Sequence, residues 1–187
     1  MSEIRHTLRT RRLGPAEVLV PTDWPRDYGF LLRVGSPGPV PLVRIHSRCA
    51  YGDVFGSMHC DCAAQLDLSC HEIQKQGGYL FYLEQEGRAA GGTIKAQAYM
   101  AQEANGVDTF DYFESLALPP DLRDYAPVAR ALRHLGHDRV RLLTNNLLKV
   151  DALTSVGMGV ERIPLVAPIA GPEQSYIAAK RARGHLL

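Results

Sequence analysis

Long hydrophobic runs are missing from this chain of 187 residues: no stretch reaches roughly 18 apolar residues, so no helical membrane span is expected. Behind the basic residues Arg5, His6, Arg9, Arg11 and Arg12 there is no apolar core of about seven residues, so a secretory leader is not expected either. A cytoplasmic protein without a membrane partner is the expectation. Charge of one sign is also lacking, with 21 Lys and Arg against 20 Asp and Glu and a net charge of +1. Nucleic acid is therefore not an expected partner, and a small molecule is favoured. Cysteine is scarce at four residues, and a chain that is 45% hydrophobic needs no disulfide staples to build a core. Reduced thiols in one sizeable domain follow.

What is present has the alternation of an α/β fold. Residues 1–20 read as a basic lead-in before a single domain over 21–187. Gly29–Val34, Val40–His46, Tyr79–Leu83, Arg139–Leu143 and Val160–Leu165 read as strands. After Cys62, the residues Ala63, Leu66, Cys70 and Ile73 recur at three- and four-residue spacing and Gly77-Gly78 ends the run, which predicts an amphipathic helix. Ile94–Ala104, Pro127–Leu135 and Leu147–Val156 read as further helices. Short turns between the first strands predict a mixed β-sheet with flanking helices.

Three of the four cysteines, Cys49, Cys60 and Cys62, follow the end of a predicted strand, two of them in a Cys-x-Cys turn. Converging thiolates make a zinc site, and three protein ligands leave a coordination position for water. A closed Cys₃His site that recruits His46 or His59 is the alternative. Cys70 lies on the apolar stripe of its helix and reads as core. Glu84-Gln-Glu-Gly-Arg-Ala-Ala-Gly-Gly-Thr93 is a polar, glycine-rich turn from strand to helix, suited either to holding an anion or merely to turning tightly. Leu142-Leu-Thr-Asn-Asn146 delivers polar groups to the carboxyl end of a strand, with Lys149 one turn further on. Asp121-Leu-Arg-Asp-Tyr125 reads equally as a site segment or as a helix N-terminus.

In this order, Arg44-x-His-Ser-x-Cys49-x-x-Gly-Asp53, Cys60-Asp-Cys-x-x-Gln-Leu66, Gln85-Glu-Gly-Arg88, Asp121-x-Arg123-x-Tyr125, Arg141-Leu-Leu-Thr-Asn-Asn146 and Gly184-His-Leu-Leu187 resemble the GTP cyclohydrolase II family, over about Pro21 to Leu187. The resemblance implies hydrolytic opening of the guanine ring of GTP with release of formate, one Zn²⁺ per chain held by Cys49, Cys60 and Cys62, Mg²⁺ accompanying a phosphorylated substrate, and a homodimer. It implies catalytic roles for Tyr99 and for Asp121 in proton transfer, with Arg123 as nucleophile toward the α-phosphate. Substrate contacts fall on Arg44, His46, Ser47, Arg48, Gln65, Glu86, Gly87, Arg88, Thr109, Thr144 and Lys149.

The departures are local. Arg48 replaces the family's Glu before Cys49, His59 replaces an Arg, and Glu84 replaces an Arg or His before Gln85. Ala90-Gly-Gly-Thr93, Asp108-Thr-Phe-Asp-Tyr-Phe113 and Asn146-Leu-Leu-Lys149 also differ from the family pattern. Fewer basic groups predict weaker triphosphate binding. The alternatives to a GTP enzyme are a specialised relative acting on another nitrogen heterocycle or nucleotide, and an inactive zinc-stabilised binding protein. Phe110, Tyr112 and Phe113 read as contact, pocket or core.

Overall fold

In the computed structural model, residues 2–119 and 121–165 are described, and the expectation for residues 184–187 lies outside them. Strands β1 (Glu3–Thr10), β2 (Gly14–Pro21), β3 (Gly29–Val34), β4 (Leu42–Ser47), β5 (Gly78–Leu83), β6 (Arg139–Leu143) and β7 (Gly159–Ile163) form a mixed sheet in the order β1-β2-β3-β5-β4-β6-β7. Its first half is antiparallel, and β5, β4, β6 and β7 run parallel. The mixed α/β architecture expected from the sequence is present.

Residues 1–20 are not a plain lead-in, because β1 and β2 pair over eight residues from Glu3↔Pro21 to Thr10↔Gly14. Ile4, His6 and Leu8 do alternate with Arg5, Thr7 and Arg9, but β1 is an edge strand and largely exposed, so no apolar face marks it. Helix α1 (Ala50–Asp53) is one turn, and α2 (Cys62–Gln76) runs close to its predicted span. Helices α3 (Gly92–Asn105), α5 (Ala126–His134) and α6 (Leu147–Thr154) also match expectation, whereas α4 (Thr109–Ser115) was not foreseen. No described helix is long and apolar enough to cross a membrane.

Two apolar clusters cover the sheet. Leu66, Cys70 and Ile73 of α2 meet Leu42, Leu80 and Leu143 on one face, so Cys70 is core as predicted. Val128 and Leu132 of α5 with Leu153 of α6 meet Val43, Ile45, Tyr79 and Phe81 on the other. Central β5 is therefore covered on both sides, which explains its unbroken run Tyr79-Leu-Phe-Tyr-Leu83.

The two-residue period of β4 sets the foundation of the cysteine loop. Val43 and Ile45 join one cluster, while Leu42, Arg44 and His46 point to the α2 side. Arg44 and His46 are 4% and 2% exposed. Arg44 donates to the Leu143 carbonyl at 3.0 Å and to Gln65 Oε1 at 2.9 Å, and lies 3.3 Å from His46 Nδ1. His46 Nε2 lies 3.1 Å from Asp53, whose carboxylate also accepts from Cys49 N–H and the Tyr82 hydroxyl. Arginine only donates and a carboxylate only accepts, so these partners select a neutral imidazole carrying its proton on Nε2.

Burial holds His46 near a pKa of about 4, against an ordinary 6.5. The unfolded chain then binds the extra proton between those values, so stability falls as pH drops from 6.5 toward 4. The loss from this group is on the order of 3 kcal/mol. Urea midpoints at pH 7 and pH 4.5 should differ less in His46→Gln than in the parent; equal acid slopes would reject the assignment.

Candidate active site

Beyond β4 the chain turns through α1 and returns to α2, folding Cys49 and Cys60–Cys62 onto each other. Their three sulfurs lie within 4.8 Å of one another, and neither His46 nor His59 belongs to the group. The Cys49 and Cys60 Sγ atoms are 3.7 Å apart, far beyond a disulfide bond. A tetrahedral zinc with Zn–S bonds of about 2.3 Å sets its sulfurs about 3.8 Å apart. The donor set therefore fits zinc, with no histidine joining the three sulfurs among the described residues. Gly52 makes this approach feasible: a Cβ there would sit 3.1 Å from Cys60 Sγ and 3.0 Å from Cys62 Cβ.

The cluster favours negative sulfur even before metal. Thiol donors from Cys60 and Cys62, followed by the Lys95 ammonium and Gly52 N–H, hold the Cys49 thiol far below its usual range. The same contact to a thiolate pushes the Cys60 thiol up, so the pair shares its first negative charge. Lys95 Nζ lies 3.1 Å from Cys49 Sγ and 2.6 Å from Glu86 Oε1. Burial opposes the Lys95 charge, but Glu86 and Cys49 outweigh it and keep the ammonium protonated. Glu86 Oε2 accepts from Ala50 N–H at 2.7 Å, tying the loop after β5 to the start of α1.

A cavity of about 100 Å³ opens over the sulfurs, lined by Ser47, Arg48, Gln85, Glu86, Gly87, Arg88, Lys95, Tyr99, Thr109, Phe113 and Arg123 together with the three cysteines. A larger hollow of about 690 Å³ on the β1–β3 side is mainly apolar, and no metal-ligating cluster lies there among the described residues. Chemistry, not size, marks the site. At the cavity wall, Arg123 forms a two-point pair with Asp121, with Nε to Oδ1 at 2.8 Å and Nη2 on Oδ2. Burial would raise the Asp121 carboxyl, yet Arg123 holds it below the ordinary carboxylate range. Arg88 donates to Thr109 Oγ1 at 3.1 Å and lies over the Phe113 ring. Gly87, Arg88 and Ala89 all have left-handed φ values, of 57°, 55° and 69°. Tyr99 packs edge-on against Tyr51, with ring centroids 5.3 Å apart.

A family model for GTP cyclohydrolase II matches residues 4–164. The chain belongs to the GTP cyclohydrolase II family. It is 45% identical over 202 aligned positions to the riboflavin biosynthesis protein RibBA of Bacillus cereus, covering 97% of this chain and 49% of that protein. RibBA of Bacillus cytotoxicus is 45% identical over 157 positions, and RibBA of Bacillus mycoides 44% over 155, each with 39% of the relative covered. The chain thus spans less than half the length of these relatives. The match begins at residue 4, so it takes in β1 and β2.

Within this family frame, the expected residues divide into two groups. Tyr99, Arg123, Ser47, Arg48, Glu86, Gly87, Arg88 and Thr109 line the cavity with the cysteines, and Asp121 pairs with Arg123 at its wall. Arg44, His46, Gln65, Thr144 and Lys149 are not among the lining residues. Gln65 donates to Asp61 while accepting from Arg44. Thr144 accepts from Asn146 N–H, and Lys149 donates to the Ile45 carbonyl at 2.8 Å. Phe113 lines the cavity with 3% exposure, so it is not a surface contact, and the Phe110 side chain lies outside the described ones. Sequence reasoning missed Lys95, although it precedes Tyr99 by four residues and so shares its helix face.

Gly52→Ala should remain folded but lose stoichiometric metal, because the added methyl meets Cys60 Sγ. Metal analysis showing full occupancy would reject this role for the glycine. At position 89, Ala89→Gly should stabilise by about 0.5–1 kcal/mol by relieving a left-handed alanine, measured by urea unfolding.

Proposed function

We propose that this chain is a zinc-dependent cyclohydrolase that opens a purine-type ring by hydrolysis and releases formate, with GTP as its default substrate. The observation that carries the reading is the cavity that joins three convergent sulfurs to Arg88, Arg123 and Tyr99. Cys49, Cys60 and Cys62 would hold the metal, and bound zinc supplies Lewis acidity at neutral pH.

The chain's own groups account for the rest. Arg88 and Arg123 at the cavity wall orient phosphate oxygens through charge-assisted hydrogen bonds. Asp121, held ionised beside Arg123, can only accept a proton at neutral pH, which makes it a base. The Tyr99 hydroxyl can donate to a ring nitrogen or orient water. Two waters are consumed, one opening the ring and one freeing formate. Mg²⁺ bound to the substrate phosphates and a homodimeric assembly complete the proposal; sedimentation showing only a 20.6 kDa species would reject the dimer.

A second reading, a substrate with fewer phosphates or a different base, is favoured by one feature. Arg48, Lys95 and Arg123 each already bond a carboxylate, namely Glu84, Glu86 and Asp121. A triphosphate must compete with all three. Incubation with a panel of purine and pyrimidine nucleotides, nucleosides and bases, followed by formate release and ultraviolet change, decides between the readings. Cys60→Ser should abolish formate release with secondary structure retained; global unfolding would instead indicate a structural metal. No turnover of any panel member by zinc-loaded protein would reject catalysis. Glu84→Gln should improve triphosphate affinity by up to about fivefold, because it frees a half-exposed Arg48 from an ion pair worth at most about 1 kcal/mol.

A further inference from the structure

We propose that Lys95 is a positioning residue for the metal, acting through the Cys49 sulfur, and this inference rests on the zinc reading above. Its ammonium sits between two acceptors: Cys49 Sγ at 3.1 Å and Glu86 Oε1 at 2.6 Å. It also lies 4.4 Å from the centroid of the Tyr51 ring, whose face provides a third favourable side. Lys95 is 9% exposed, so these contacts replace most of its hydration.

The arrangement is a closed brace around one ligand. Lys95 comes from α3, Glu86 from the loop after β5, and Cys49 from the start of α1. Glu86 reaches back to Ala50 N–H at 2.7 Å, the residue next to Cys49. The Cys49 sulfur thus accepts from Lys95 and, at 3.4 Å, from Gly52 N–H, while its backbone N–H donates to Asp53 at 3.0 Å. Gly52 holds the sulfur from within the loop, whereas Lys95 reaches it from α3, outside the loop. Three thiolates and one divalent cation would leave one excess negative charge at the centre, and the Lys95 ammonium lies in contact with one of the ligand sulfurs. A hydrogen bond to a ligand sulfur withdraws electron density from it, so the metal retains more of its Lewis acidity. Glu86, which also lines the cavity, joins this brace through both oxygens.

Cobalt(II) substitution reads the brace without requiring turnover, because sulfur-to-cobalt charge-transfer absorption reports electron density on the ligating sulfurs. Purified parent, Lys95→Met and Lys95→Arg would be titrated with Co²⁺, and zinc affinity measured by chelator competition. Removing the donor in Lys95→Met should shift the charge-transfer band to lower energy and weaken zinc binding by about 10–100-fold. Lys95→Arg, which keeps a charged donor, should recover most of the band position. Circular dichroism of the metal-free variants checks that folding is intact, and an unfolded Lys95→Met would leave the comparison of Lys95→Arg with Lys95→Gln to separate charge from hydrogen bonding. Identical bands and affinities in the parent and these variants would overturn the inference while leaving the zinc reading in place. No charge-transfer band in the parent would overturn both.

Discussion

Three sulfurs that would each carry negative charge as metal ligands repel one another, and holding them within 4.8 Å is the constraint on which the rest of this site depends. Two buried polar networks answer it from opposite sides. Beneath the loop, Arg44, His46, Asp53 and Tyr82 fix the backbone of Cys49 to the sheet. Beside it, Lys95 and Glu86 fix the sulfur and the following residue to α3 and the β5 loop. A buried network of this kind is stabilising only when its members are paired, because removing one partner leaves a desolvated charge. That requirement explains why Arg44 and His46 point away from the cavity although they stand five and three residues from Cys49.

The charge reversals at positions 48 and 84 have a common cause. The resemblance places an acidic group at the first and a basic group at the second, and here Arg48 and Glu84 exchange those signs and bond at 2.6 Å. Arg48 also lies 3.9 Å from Glu86, which extends the alternation inward to Lys95. The Glu84 carboxylate is thus offset by the adjacent Arg48 guanidinium. Leu148, another departure, is exposed on α6 and is not a cavity-lining residue.

The sequence was most legible where one physical signal acted alone. The apolar period of Leu66, Cys70 and Ile73 marked α2, the buried run Tyr79–Leu83 marked β5, and the cysteine spacing marked the cluster of three sulfurs. Legibility failed where two signals competed. In β1 the basic residues masked an alternation that pairs with β2, and around α4 the aromatic residues read as a cluster, not as a short helix. It also failed for residues whose role depends on long-range partners. Arg44 bonds Leu143 across 99 residues and Lys95 reaches Cys49 across 46, distances over which spacing carries no information.

Asp121 and Arg123 show how geometry limits the chemistry a motif can perform. A guanidinium in proteins stays protonated, and Arg123 is further stabilised by two contacts to a carboxylate held below its ordinary range. Attack by its nitrogen on phosphorus would require loss of a proton, and Asp121, the carboxylate in contact with it, is a weak acceptor because of that same contact. The pairing thus favours Arg123 as a fixed, oriented donor toward an anion. An incoming phosphate that drew Arg123 away from Asp121 would relieve the depression of that carboxyl and make it a stronger base. Under the proposed function, substrate binding and proton transfer would then be linked through one ion pair.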